Sequence, residues 1–151
     1  MNRRTFLLGT GAAAAGGLAG CAGAADDAEG VRLPRVELGN ATAETHTFHV
    51  IVEFNGELEH WDSYEIEPGI QDQRMGAELI DPGLPDEPGE VTVHARIGPR
   101  RSKIDFDREG YGEGECVIAT FLYGFRGDNE LSAHPTSLAD TDDLASRIGC
   151  P

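Results

Sequence analysis

Thr42-Ala43-Glu44-Thr45-His46-Thr47-Phe48-His49-Val50-Ile51-Val52-Glu53-Phe54-Asn55-Gly56 is the stretch that decides the fold. Its residues alternate. Thr42, Glu44, His46, Phe48, Val50, Val52 and Phe54 fall on one side; Thr45, Thr47, His49, Ile51 and Glu53 fall on the other. A period of two with Phe48, Val50, Val52 and Phe54 on one side marks a half-buried strand. Asn55-Gly56 closes it with a strong hairpin signal, because the favoured two-residue turn needs positive φ at both positions. Beyond the turn, residues 58–66 carry Trp61, Tyr64 and Ile66 with imperfect alternation, which predicts a bulged return strand ended by Pro68-Gly69.

Working outward, residues 76–80 read as a short edge strand. Residues 81–90 hold three of the eight prolines and read as a loop. Residues 91–97 alternate cleanly, with Val91, Val93, Ala95 and Ile97 facing in and Thr92, His94 and Arg96 facing out. A short strand around 104–106 and a Gly-rich acidic loop lead to residues 115–125, apolar on both faces as an interior strand requires. In the tail, Thr141 can cap a helix with Asp142 and Asp143 in its first turn and Leu144 and Ile148 four apart; Arg147 and Gly149 suit its end. Residues 22–35 show no apolar period and read as a flexible tether. Strands separated by Pro/Gly loops, with no long helical period, predict an all-β fold: an antiparallel β-sandwich with a short C-terminal helix.

Composition sets the outer bounds. The chain has 151 residues, with 12 Lys+Arg against 27 Asp+Glu, for a formal net charge of −15. This length suits one core, and a mean hydropathy of −0.34 excludes a polytopic membrane protein. The excess of acid argues against nucleic acid as a partner, since phosphate binding needs Lys and Arg.

The first residues, Met1-Asn2-Arg3-Arg4-Thr5-Phe6-Leu7-Leu8, place a paired arginine before a short Gly/Ala-rich apolar run, the pattern of a twin-arginine export signal. The run ends Leu18-Ala19-Gly20-Cys21, which resembles the lipobox of bacterial and archaeal lipoproteins. That resemblance implies a signal peptide over 1–20, lipid on Cys21, a tether over 21–35 and a domain over 36–151. Removing 1–20 takes Arg3 and Arg4 and no acid, leaving ten basic groups against 27 acidic ones, a net of −17 over 131 residues. Such an acidic, lysine-poor chain resembles the exported lipoproteins of halophilic archaea. In molar salt the Debye length is about 3 Å, so the acid serves as a solvated coat. The implied location is the outer face of the cytoplasmic membrane, with the membrane as partner through the anchor at Cys21.

Pro88-Gly89-Glu90-Val91-Thr92-Val93-His94-Ala95 resembles the "Pro-Gly-x-Tyr-x-Val" strand of immunoglobulin-like extracellular domains, and Trp61 after the first long strand fits the same comparison. The likeness covers about residues 36–125. It implies an immunoglobulin-like sandwich that binds, adheres or spaces, with a cell-surface protein or glycan as partner.

The remaining chemistry is sparse. With Cys21 assigned to lipid, Cys116 and Cys150 form an even pair in an oxidising compartment, so a disulfide is expected. A blue-copper site fails for want of a downstream histidine near Cys116 and a methionine beyond Met75. His46, His49 and His94 lack a third ligand and read as surface or strand-end histidines. Asp105, Asp107, Glu109, Gly110 and Glu113 follow the opening of a calcium loop, but Cys116 stands where the bidentate Glu belongs. A metal-dependent envelope protein using 105–113 is therefore the alternative function, and no cofactor is expected. Arg96, Arg100, Arg101, Lys103 and Arg108 put half of the mature basic groups within 13 residues. They suit docking of an anionic glycan or acidic partner, or pairing with surrounding carboxylates, and pairing is the expectation. Asn40-Ala41-Thr42 is either a glycosylation sequon or a turn. No Gly-x-Ser-x-Gly, phosphate loop, His-Glu-x-x-His or Cys-x-x-Cys is present, and Ser132 and His134 have no strand context. A non-enzymatic binding module is expected.

Overall fold

The computed structural model describes residues 30–69, 75–127, 129–139, 142–148 and 150. Arg3, Arg4, Cys21 and most of the expected tether lie outside the described residues, as do Thr141 and Gly149 of the tail. Eight strands are seen among the described residues: β1 (Arg32–Asn40), β2 (His46–Phe54), β3 (Glu57–Ile66), β4 (Gly76–Ile80), β5 (Val91–Ile97), β6 (Arg100–Asp105), β7 (Cys116–Tyr123) and β8 (Leu131–Ser137). A short helix, α1 (Asp142–Arg147), follows. The strands form two four-stranded sheets, ordered β4-β1-β7-β8 and β3-β2-β5-β6, packed as a sandwich.

The deciding stretch folds as its alternation demands. Phe48, Val50, Val52 and Phe54 of β2 are buried and meet Val91, Val93, Ala95 and Ile97 of β5 in the core. Asn55 and Gly56 take φ of 51° and 77°, the left-handed pair that joins two right-twisted strands. The opposite sheet contributes Val36 and Leu38 of β1 and Val117, Ala119 and Phe121 of β7. The second apolar side of β7 is covered too, because Ile118 packs with Leu138, Ile148 and Cys150 of the tail.

Three expectations are corrected. The sandwich is not wholly antiparallel: β1 pairs antiparallel with β4 but parallel with β7. Parallel neighbours need a crossover, which the whole of the second sheet supplies between β1 and β7. β1 also begins at Arg32, inside the stretch read as tether, with Val31 and Leu33 buried. A register shift between Arg32 and Arg35 moves the inward positions from Leu33 to Val36, Leu38 and Asn40, which erases the period of two. Finally, the polar segment holding Ser132, His134 and Pro135 is a strand, β8. It lies at a sheet edge, where the missing N–H of Pro135 is tolerated.

Candidate functional site

The outward side chains of β3, β2, β5 and β6 form two rungs across the second sheet. Ser63, His49, Arg96 and Arg101 make one; Trp61, Ile51, His94 and Lys103 make the next. With strands about 4.8 Å apart, each rung is about 14 Å long. Together they line a shallow cleft of about 770 Å³.

Trp61 is 71 % exposed on this face, although the immunoglobulin-like comparison expects a buried core tryptophan there. The cause is local. The hairpin pairs Phe54 with Glu57 and Glu53 with Leu58, but then Val52 pairs with His60 and Ile51 with Trp61. Glu59 is the extra residue. Were Glu59 paired in the regular ladder, the same register would set Trp61 opposite Val50 and turn the indole into the core; leaving Glu59 out of the pairing as a bulge puts Trp61 on the other face.

The polar groups differ in how far they are committed. His49 Nδ1 lies 2.7 Å from Ser63 Oγ, and His94 Nε2 lies 3.6 Å from Glu53. Asp105 takes Arg108 at 3.2 Å and Lys103 at 3.9 Å. Arg96 and Arg101 face each other across β5 and β6, and neither forms an ion pair among the described residues. The expectation that this basic cluster is neutralised by carboxylates therefore holds for Lys103 and Arg108 only. Like charges directly opposite each other are destabilising, and among the described residues no carboxylate pairs with Arg96 or Arg101 to offset this.

A second groove, of about 800 Å³, lies beside the disulfide. Its cations are already used: Arg32 donates to the Asp86 and Gly114 carbonyls at 3.0 and 2.9 Å, and Arg35 pairs with Asp81 at 2.9 Å. Those bonds hold loop and strand together: Arg35 is paired with a carboxylate, and Arg32 is fixed by two backbone carbonyls.

The other sequence-predicted residues fall as follows. Cys116 and Cys150 are disulfide-bonded, with Cα atoms 6.2 Å apart. Asn40 is fully buried at the end of β1. Its Nδ2 donates to the carbonyls of Glu44 at 2.7 Å and Ile66 at 2.9 Å, and its Oδ1 accepts from Thr42 N and Oγ1 at 3.0 and 2.8 Å. All four hydrogen-bonding positions are taken, which makes Asn40 the anchor of a turn.

Asp105, Asp107 and Glu109 do not converge. Phe106–Arg108 forms a single 3-10 turn with Phe106 buried, and Asp105 is spent on Arg108 and Lys103. Among the described residues no group of three or more His, Cys, Asp or Glu side chains is placed to hold a metal ion. Asp107 is held above the usual carboxylate range by burial first, then by the nearby Glu90 and Asp105 charges. His134 Nε2 lies 3.1 Å from Ser132 Oγ, but that hydroxyl donates to the Leu122 carbonyl at 3.2 Å. The histidine is left to donate to the serine oxygen, the reverse of what a general base needs.

Neither protein-family models nor curated proteins give any match to this chain.

Proposed function

We propose that this protein is a binding module of the cell surface, exported by its twin-arginine signal and held on the outer face of the cytoplasmic membrane by lipid on Cys21. The Trp61 face is its binding surface. The observation that carries this reading is the bulge at Glu59, which places a large aromatic on the solvent side of a sheet where the hairpin register alone would bury it. Bulges concentrate where a side chain has to be re-aimed for function, and tryptophans and arginines are typical anchors of binding. The immunoglobulin-like character of residues 88–95 supports a binding role over a catalytic one.

Envelope fractionation tests it. Purified protein added to washed native envelopes should be retained, and Trp61→Ala should weaken retention about 30-fold, the loss of about 2 kcal/mol typical of an aromatic hot spot. The melting temperature should stay unchanged, because the indole contributes nothing to the core. In the same fractionation of cells, Cys21→Ser should release the chain from membranes. Equal retention of Trp61→Ala would remove this face from the function.

A further inference from the structure

Resting on that reading, we infer that the ligand of the Trp61 face is an anionic glycan, a carboxylated or sulfated sugar chain laid across the four strands. The two ends of the face differ in chemistry. Trp61 on β3 offers an exposed flat ring for the apolar face of a sugar. About 14 Å away, Arg96, Arg101 and Lys103 cluster on β5 and β6. Guanidinium forks match carboxylate and sulfate oxygens in pairs, and two unneutralised forks side by side make a site for such a group. Ser63 beside Trp61 on β3, His49 on β2 and His94 on β5 add hydrogen-bonding groups suited to hydroxyls.

The shape agrees with this chemistry. The cleft is open and shallow, which suits a chain passing over it more than a small anion, for which an enclosed pocket would be needed. A single-stranded nucleic acid asks for cations that track every phosphate between its stacked bases. Here the cations sit on β5 and β6, away from the aromatic on β3, and the strand between them carries His49, Ile51 and Glu53, whose carboxylate lies 3.6 Å from His94. The charge is complementary as well. The arginine pair is a local cationic spot on a chain of net charge −15, without a carboxylate partner among the described residues.

Trp61 is the sole tryptophan of the chain, so its fluorescence reports the site directly. Purified protein would be titrated with oligogalacturonate, a heparin-derived oligosaccharide, a neutral malto-oligosaccharide of matched length and single-stranded oligothymidylate. Expected is a saturable change in Trp61 emission with one or both anionic glycans. In Arg96→Gln/Arg101→Gln the affinity should be about tenfold weaker or worse, as for loss of a charged hydrogen-bonding pair. Melting of the double variant controls for folding, and both positions are exposed. Equal affinity for the neutral glycan overturns the assignment, as does an arginine-dependent preference for oligothymidylate. No response to any probe, with envelope retention still dependent on Trp61, overturns the glycan and leaves the binding face standing. Retention that ignores Trp61 removes both.

Discussion

Asn40 shows how much one buried amide can organise. It sits where β1 leaves the sheet, and its four bonds tie the 42–44 turn to the end of β3 through the Ile66 carbonyl. The Asn-Ala-Thr spacing is equally readable as a sequon or a turn. What separates the two is whether the side chain points into the sandwich, and that depends on the displaced phase of β1. Asn40→Asp should therefore be severe. It keeps shape and acceptor but turns both Nδ2 donors into an acceptor facing two carbonyls, at a cost of about 3 kcal/mol or more. Denaturant melts should show a lower midpoint with unchanged slope. A shift under about 0.5 kcal/mol, the scale of ordinary surface substitutions, would show that the amide is not the anchor inferred from its bonds. Asn55 is the opposite case. Its role follows from sequence, because Asn-Gly calls for left-handed backbone; the structure adds that its Oδ1 also accepts from Glu90 N at 2.9 Å.

At the scale of elements, legibility follows the regularity of the pairing. β2, β4 and β5 can be read from alternation alone because their ladders run without interruption through the range that matters. β1 is hidden by Pro34 and a register shift, and β8 by polar residues and Pro135, which only an edge strand accepts. The face of Trp61 is hidden by one residue. Imperfect alternation in 58–66 announces a bulge, but its position decides which side of the sheet the indole takes. Deleting Glu59 tests this. With Glu59 gone the hairpin register runs on unbroken, His60 falls opposite Val52 and Trp61 stays opposite Ile51, so the deletion variant should fold with the indole still outside and its emission and acrylamide quenching unchanged. Blue-shifted emission with loss of quenching would mean that Glu59 is not the extra residue of this ladder. The basic cluster teaches a related lesson. Sequence shows five cations close together, but only the register reveals that Arg96 faces Arg101 while Asp105 is occupied elsewhere.

The whole molecule is a small sandwich under two global constraints, a covalent staple and a dense negative charge. The staple joins the first residue of β7 to the end of the chain over a separation of 34 residues. Chain-entropy closure of that loop is worth about 3.8 kcal/mol. It also holds Ile148 and Cys150 against Ile118, so its loss should expose this minor cluster before the main core. Reduction should lower stability by about that amount and raise hydrogen exchange first in the tail and at the start of β7. Uniform loss of protection would mean that the tail and sandwich unfold as one unit. The charge acts in the other direction. A net of −15 over the chain disfavours the compact state by self-repulsion, and few ion pairs offset it among the described residues. Salt relieves the repulsion. The Debye length falls from about 30 Å at 0.01 M to about 3 Å at 1 M, shorter than most separations between surface carboxylates. Melting temperature should therefore climb by several degrees from 0.01 to 1 M KCl, at roughly 4 °C per kcal/mol for a domain of this size. Substituting neutral sucrose at matched osmolality separates screening from solute exclusion. If KCl and sucrose act alike, or if KCl does nothing, charge repulsion is not what limits this fold. If KCl alone stabilises, the acidic coat is a burden that high salt removes, and the contacts that survive screening are the close ones, such as the Arg35–Asp81 pair at 2.9 Å.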